Sequence, residues 1–346
     1  MEAISTPKSL GYLMPAEWES HEATWLSWPK NELTFPSDII GAVEKTYCRM
    51  IAGLQGGEKV KLLVDNEAEE NRARGFLQKN GVPEKSVLFH RIKSADVWMR
   101  DYGPTFLLHR ATGKKAAVRW IFNAWGNKYD DLLADNRTGD EIAKICSCPV
   151  FKPGIVMEGG SIDVNGAGSL LTTEQCLLNK NRNPELDQER IERHLADYLG
   201  VSDIVWLGEG IAGDDTDGHV DDFARFVGKG AVVCAYEENN ADENHKPLAE
   251  AHSVLSELFE TIKLPMPSPI IDPVEKRRLP ASYANFYIGN KSVLLPVFGD
   301  RNDKVAIEIL QSCFSGREIV PIPCRELVYG YGGIHCVTQQ EPKNVD

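Results

Sequence analysis

Three segments of this chain repeat one pattern, two β-rich runs around a glycine turn: SIDVNGAGSLLTT (161–173), FARFVGKGAVVCAY (223–236) and NFYIGNKSVLLPVF (285–298). Each precedes a stretch with apolar residues at three- and four-residue spacing, the period of an amphipathic helix, at 183–200, 244–262 and 303–314. A short strand then closes each unit: DIVWLG, a weaker SPIID, and REIVPIP. The unit is therefore ββαβ. PTFLLHRATGKKAAVRW (104–120), DEIAKICS (140–147) and VFKP make a further copy with a longer loop containing Trp and Asn. ATWLSWP, a helix around Ile39–Leu54 and KVKLLVD supply most of a fifth, whose missing hairpin is sought in the C-terminal GGIHCVTQQ. A period of about 50 to 60 residues repeated about five times, with both chain ends sharing one unit, is the mark of a closed radial array. The expected fold class is α/β, a five-bladed α/β propeller of ββαβ pseudo-repeats, with residues 1–346 forming a single catalytic domain. A doubly wound parallel sheet is the rival, but hairpins within every unit imply antiparallel pairs that such a sheet lacks.

Bulk properties narrow the function. With 42% hydrophobic residues in 346, the chain has ample material for a large core. No run approaches the roughly 20 apolar residues of a membrane helix, and Met1 to Tyr12 has neither the basic nor the apolar region of a secretory leader. A cytoplasmic protein with no membrane partner is expected. Most of the eight cysteines stand in apolar segments, the usual setting of free buried thiols. The one tight pair, Cys146 and Cys148, has the wrong spacing for a redox or zinc motif, so no metal is expected. A net charge of −13 argues against a nucleic-acid partner and suits a cationic ligand, although acidity alone also serves solubility. Gly208, Gly210 and Gly213 match GxGxxG, but Asp214, Asp215 and Asp217 follow where a pyrophosphate would sit, so no dinucleotide cofactor is expected.

Immediately before four of the hairpins stand glycine-rich polar stretches: VWMRDYGP, VMEGGS, DDTDGHVDD and YGYGGIHCV. Equivalent positions of a radial array face one central region, which would bring Asp101, Glu158, His219, Asp221 and Cys336 together. Singly each has a bland explanation: a buried thiol, a structural histidine, an Arg100–Asp101 ion pair, a turn carboxylate. Together they restrict the chemistry. A thiol attacking an ester or amide wants oxyanion donors, whereas carboxylates match a planar cation. A guanidinium presents N–H donors in a fixed fork that two carboxylates can hold while its central carbon is attacked.

On these residues, and on MPAEWESHEATWLSWP, ADVWMRDYGPTF, NAWGNKYDD, MEGGSIDVNG, LLNKNRNP, GDDTDGHVDDFARF, ASYANFYIGN and GYGGIHCVTQQEP, the chain resembles the agmatine deiminase branch of the guanidino-group modifying enzymes, related to bacterial peptidylarginine deiminases. The resemblance spans nearly the whole chain. It implies the five-bladed propeller independently, no metal or organic cofactor, a small cationic guanidino substrate (agmatine) and a homo-oligomer. It implies that Asp101 and Asp221 grip the guanidinium, that Glu158 hydrogen-bonds and orients His219, that Trp98 packs beside the substrate, and that Cys336 attacks. Asn285 is expected among the substrate-binding residues. For the distal ammonium, Asp214, Asp215 and Asp217 are the nearest acidic candidates, with Asp215 preferred; a solvated acidic loop explains them equally well. A peptidylarginine deiminase and a non-catalytic guanidino binder are the alternatives.

Overall fold

A computed structural model describes residues 5–345; residues 1–4, part of the segment read for a leader, and residue 346 lie outside the described residues. Each sequence repeat folds into its own small sheet, and five sheets account for all the strands among the described residues. The two chain ends share the first blade: Gln339–Pro342 runs antiparallel to His21–Ser27, which pairs in parallel with Lys59–Val64. The second is built on Thr105–His109 and Lys115–Val118, the third on Asp163–Val164 and Ser169–Thr173, the fourth on Ala224–Gly228 and Ala231–Tyr236, and the fifth on Tyr287–Ile288 and Ser292–Val297. In each of these four the two strands are an antiparallel hairpin, and a closing strand returns in parallel after a helical crossover. The architecture is the α/β propeller that the repeats imply.

Local chemistry sets the element ends. The third-blade helix, Gln188–Leu199, opens where the Asp187 side chain accepts the Arg190 N–H and closes at Gly200, whose φ of 72° only glycine adopts cheaply. Two features depart from the sequence expectation. The fourth-blade helix is His245–Ser256 and does not run to Ile262; the closing strand is Glu260–Pro265, and SPIID forms no strand. Phe259 and Ile262 fit a helical period while Ile262 and Leu264 fit a strand period, and six parallel partners along Ala231–Tyr236 decide for the strand. The first blade also gains Glu67–Lys79 and a fourth strand, Val87–Arg91, beyond the basic unit.

Buried charges tie the blades together. Glu341, next to the first blade's strand His21–Ser27, accepts from Lys61 Nζ at 2.6 Å and Trp25 Nε1 at 2.8 Å, and pairs with Lys115 of the second blade. Glu17 does more. Its carboxylate faces Arg225 at 2.9 Å, Arg100 at 3.3 Å and His335 Nε2 at 2.7 Å, and accepts the Ile288 N–H at 2.8 Å. Burial raises its pKa, but Arg225, His335 and Arg100 outweigh burial and hold it well below the usual carboxylate range. Such a depressed group stabilises the fold above its unfolded pKa, and that contribution is lost as pH falls. Glu17→Gln keeps the shape and removes the anion, which should cost about 3–5 kcal/mol of stability by urea unfolding at neutral pH. A loss below about 1 kcal/mol, the range of a surface pair, would show that the cluster does not hold the blades.

Candidate active site

The segments that lead into the first hairpin strand of each blade meet. They carry Asp101, Glu158, His219 with Asp221, and Cys336, as the repeat predicts, and the fifth carries Asn285, two residues before Tyr287–Ile288. His219 Nδ1 stands 3.8 Å from Asp101 Oδ1 and its Nε2 stands 3.8 Å from Glu158 Oε2. Cys336 Sγ lies 3.9 Å from Asp221 Oδ2. Gly160 is the piece that lets them approach: a Cβ there would come 2.6 Å from His219 Nδ1 and 3.0 Å from oxygens of both Asp101 and Asp221. The Gly159-Gly160 pair is thus a steric requirement.

Each acidic group is held from behind. Asp101 Oδ1 accepts the Gly160 N–H at 3.1 Å, and Oδ2 accepts Trp125 Nε1 at 2.9 Å. Trp125 sits at φ 54°, a conformation costly for an aromatic residue, and Asn123 secures the loop by accepting the Gly126 N–H at 2.8 Å and donating to Asn181 O at 2.9 Å. Arg100 turns away from Asp101 toward Glu17, so the ion pair that would have explained Asp101 without a functional role does not form. Asp221 Oδ2 faces His335 Nδ1 at 2.6 Å, which continues to Glu17 through Nε2. Its other oxygen, Oδ1, is buried with no partner within the protein, as are both nitrogens of His219.

Glu158 Oε2 meets His219 Nε2 at an ion-pair distance of 3.8 Å, longer than the expected hydrogen bond, and Glu158 Oε1 is engaged by the fully buried Arg182 at 2.7 Å. Burial raises Glu158, yet Arg182 and His219 bring it below the ordinary value. For His219, burial opposes the charged ring, but Asp101, Cys176 and Glu158 outweigh it and raise its pKa well above normal. Burial pushes Asp101 up to about 6, with Asp221 and Glu158 adding to the rise. Burial, then Asp221, Asp222 and Asp101, lift the Cys336 thiol well above its usual range.

Asn285 lies against the thiol. Its Nδ2 donates to Cys336 Sγ at 3.2 Å and to Asp222 Oδ1 at 2.9 Å, while its Oδ1 accepts the His335 N–H at 2.8 Å. The amide therefore fixes the Cys336 segment, and among the described residues that line the open cavity it does not appear. That cavity, about 490 Å³, has Cys336 and Asp101 at its inner end and Trp98 and Trp125 beside them. Of the three loop acids only Asp215 lines it. Asp214 instead accepts the N–H groups of Thr216, Gly218 and His219, shaping the loop that carries the imidazole, and Asp217 binds Lys128, Asn181 and Arg182. Asp215 accepts the Tyr129 hydroxyl and has Arg277 at 3.9 Å. Two clusters bring three possible metal ligands within 4.8 Å: Glu158, Cys176 and His219, and Asp221, Asp222 and Cys336.

A five-bladed α/β propeller with thiol, imidazole and carboxylates on its blade-entry loops is of the guanidino-group modifying class. The model of the Porphyromonas-type peptidyl-arginine deiminase family matches residues 13–342, and the chain belongs to that family. Within it, the chain is 38% identical to the agmatine deiminase of Medicago truncatula over 99% of both chains. The agmatine deiminase of Enterococcus faecalis superposes with a TM-score of 0.91 at 33% identity, covering 99% of each chain. A cysteine-to-serine variant of the C. jejuni agmatine deiminase with substrate bound does so at 0.88 and 30%, covering 97% of each.

The raised thiol pKa has a direct consequence for the free protein. A neutral alkylating reagent reacts only with the thiolate, so labelling of Cys336 by iodoacetamide should climb about tenfold per pH unit from 6 to 9 without a plateau. Peptide mapping by mass spectrometry reads the rate, and a plateau below pH 7 would show a thiolate already formed without substrate.

Proposed function

We propose that this chain hydrolyses agmatine to N-carbamoylputrescine and ammonia through a covalent intermediate on Cys336. The observation that carries the reading is that Asp101 and Cys336 line one cavity sized for a small molecule, while Asp221 stands behind the thiol with Oδ2 3.9 Å from Sγ and Oδ1 unpartnered within the protein. Kinship with agmatine deiminases supports it.

The two carboxylates accept guanidinium N–H groups and turn the central carbon toward Sγ. Bound positive charge offsets the anions that keep the thiol protonated, so the substrate itself helps to make the nucleophile. The thiolate bonds to the carbon, His219 donates a proton to the departing nitrogen, and ammonia leaves a thiouronium on Cys336. His219 then takes one proton from water, the water oxygen bonds to the carbon, the C–S bond breaks to return the thiolate, and the second water proton passes to solvent to leave a neutral ureido product. Ion pairing to Glu158, itself held ionised by Arg182, keeps His219 supplied with its proton. Trp98 packs beside the alkyl chain, and Asp215 receives the distal ammonium through Oδ1, which Tyr129 does not engage and which Arg277 approaches at 3.9 Å. In this reading residues 1–346 act as one catalytic domain of a cytoplasmic homo-oligomer.

A peptide substrate would need an open groove, whereas Cys336 is only 6% exposed at the end of an aromatic-walled cavity. Ammonia release should therefore be at least about a hundredfold faster, in kcat/KM, with agmatine than with arginine or a C-terminal-arginine peptide. Comparable rates on the peptide would overturn the substrate assignment. Cys336→Ser should release no ammonia while still binding agmatine, and retained turnover would remove Cys336 from the mechanism. Asp215→Asn should mainly raise KM for agmatine; equal damage toward a guanidine without a distal amine would show that another group reads the ammonium.

A further inference from the structure

One buried thiol beside this machinery has no part in the steps above. Cys176 lies in the short helix Glu174–Leu177, fully enclosed, with Sγ 4.0 Å from Glu158 Oε2. Arg182 occupies Glu158 Oε1, so Oε2 is left facing the thiol and His219 Nε2. That nitrogen is buried with no hydrogen-bond partner. A thiol sulfur, an imidazole nitrogen and a carboxylate oxygen, none of them engaged by a residue outside this trio, thus lie within 4.8 Å of one another. Thiolate, imidazole and carboxylate are the donors that Zn²⁺ and similar cations prefer, and they fit Mg²⁺ or Ca²⁺ poorly.

We propose that Glu158, Cys176 and His219 form a buried inhibitory site for a borderline-soft divalent cation of the Zn²⁺ type. Tetrahedral bonds of about 2.0–2.3 Å separate ligand atoms by about 3.3–3.6 Å. The separations from Glu158 Oε2 are 3.8 Å to Nε2 and 4.0 Å to Sγ, all three atoms lie within 4.8 Å of one another, and side-chain shifts of up to about an ångström close them to that range. Binding expels the thiol proton and any proton on Nε2 to solvent, and water completes the coordination. The second cluster of possible ligands is less suited. It offers no nitrogen, and Asp221 Oδ2, Asp222 Oδ1 and Cys336 Sγ are already engaged by His335 and Asn285.

A cation on Nε2 leaves Cys336, Asp101 and Asp221 unligated, so substrate still binds. It locks the imidazole and removes the proton carrier, so kcat falls while KM changes little. The inhibition rests on the deiminase reading; the binding does not.

The test uses metal-free full-length protein with one equivalent of Co²⁺ as spectroscopic probe and Zn²⁺ as inhibitor. The thiolate-to-cobalt charge-transfer band should appear in the wild type and in Cys336→Ser and vanish in Cys176→Ser, with Cys176→Ala as a second variant should serine disturb the fold. The Zn²⁺ concentration for half-inhibition, normalised to each variant's own metal-free rate, should rise by about tenfold or more without Cys176. A band that persists without Cys176, a band lost only with Cys336, no band at all, or inhibition competitive with agmatine would each overturn the site. A Cys176-dependent band in a protein that does not turn over agmatine would instead sink the deiminase reading and leave the cation site standing.

Discussion

The fold and the site share one carboxylate. Glu17 is buried where the chain enters the first blade, yet it contacts Arg100 before the second, Arg225 in the fourth, Ile288 in the fifth and His335 at the returning C-terminal segment. The third joins through Asp163, which lies 3.4 Å from Arg225 and accepts the Phe226 N–H at 2.6 Å. A buried anion of this kind is tolerated only because so many cations and N–H groups surround it, and the same geometry fixes the blades relative to one another. His335 then carries the constraint from Glu17 to Asp221, one side chain away from the cavity. Blade closure and the alignment of Asp221, the carboxylate proposed to hold the guanidinium, are therefore parts of one hydrogen-bonded chain.

That arrangement creates an electrostatic conflict that the reaction resolves. Placing Cys336 among Asp101, Asp221 and Asp222 in a buried site lifts its pKa and favours the protonated thiol. A guanidinium is attracted by the same charges and, once seated, reverses their effect on the sulfur. Asn285 adds a neutral donor at 3.2 Å that holds the sulfur in place without supplying charge. In the proposed reaction, specificity for a cation and silence in its absence follow from the same residues.

Much of this is legible in the sequence because both blades and loops recur. Hairpin turns and helix periods expose the units, and glycine-rich stretches before them expose Asp101, Glu158, His219, Asp221 and Cys336. The fifth position, Asn285, lacks such a glycine signature; it is expected only as a substrate-binding residue, and its place against the thiol appears first in the fold. Glu17, Arg182, Trp125 and Cys176 are hidden for another reason: each acts through a partner far away in sequence, with Glu17 reaching His335 across the whole chain. The NAWGN loop carries the one local hint, since a glycine beside a tryptophan marks a backbone that must turn unusually to aim the indole at Asp101. Between 257 and 265 the apolar spacing suits two periods, and sheet pairing decides it.

The central claim is that Cys336 bonds covalently to the guanidinium carbon. Rapid acid quenching during turnover of agmatine, followed by peptide mapping, tests it most directly. The account predicts a transient adduct on the Cys336 peptide equal to agmatine less ammonia, formed as the first ammonia appears and lost as the ureido product forms. Agmatine-derived mass on another residue, or first-turnover ammonia with Cys336 unmodified at every quench time, would contradict it.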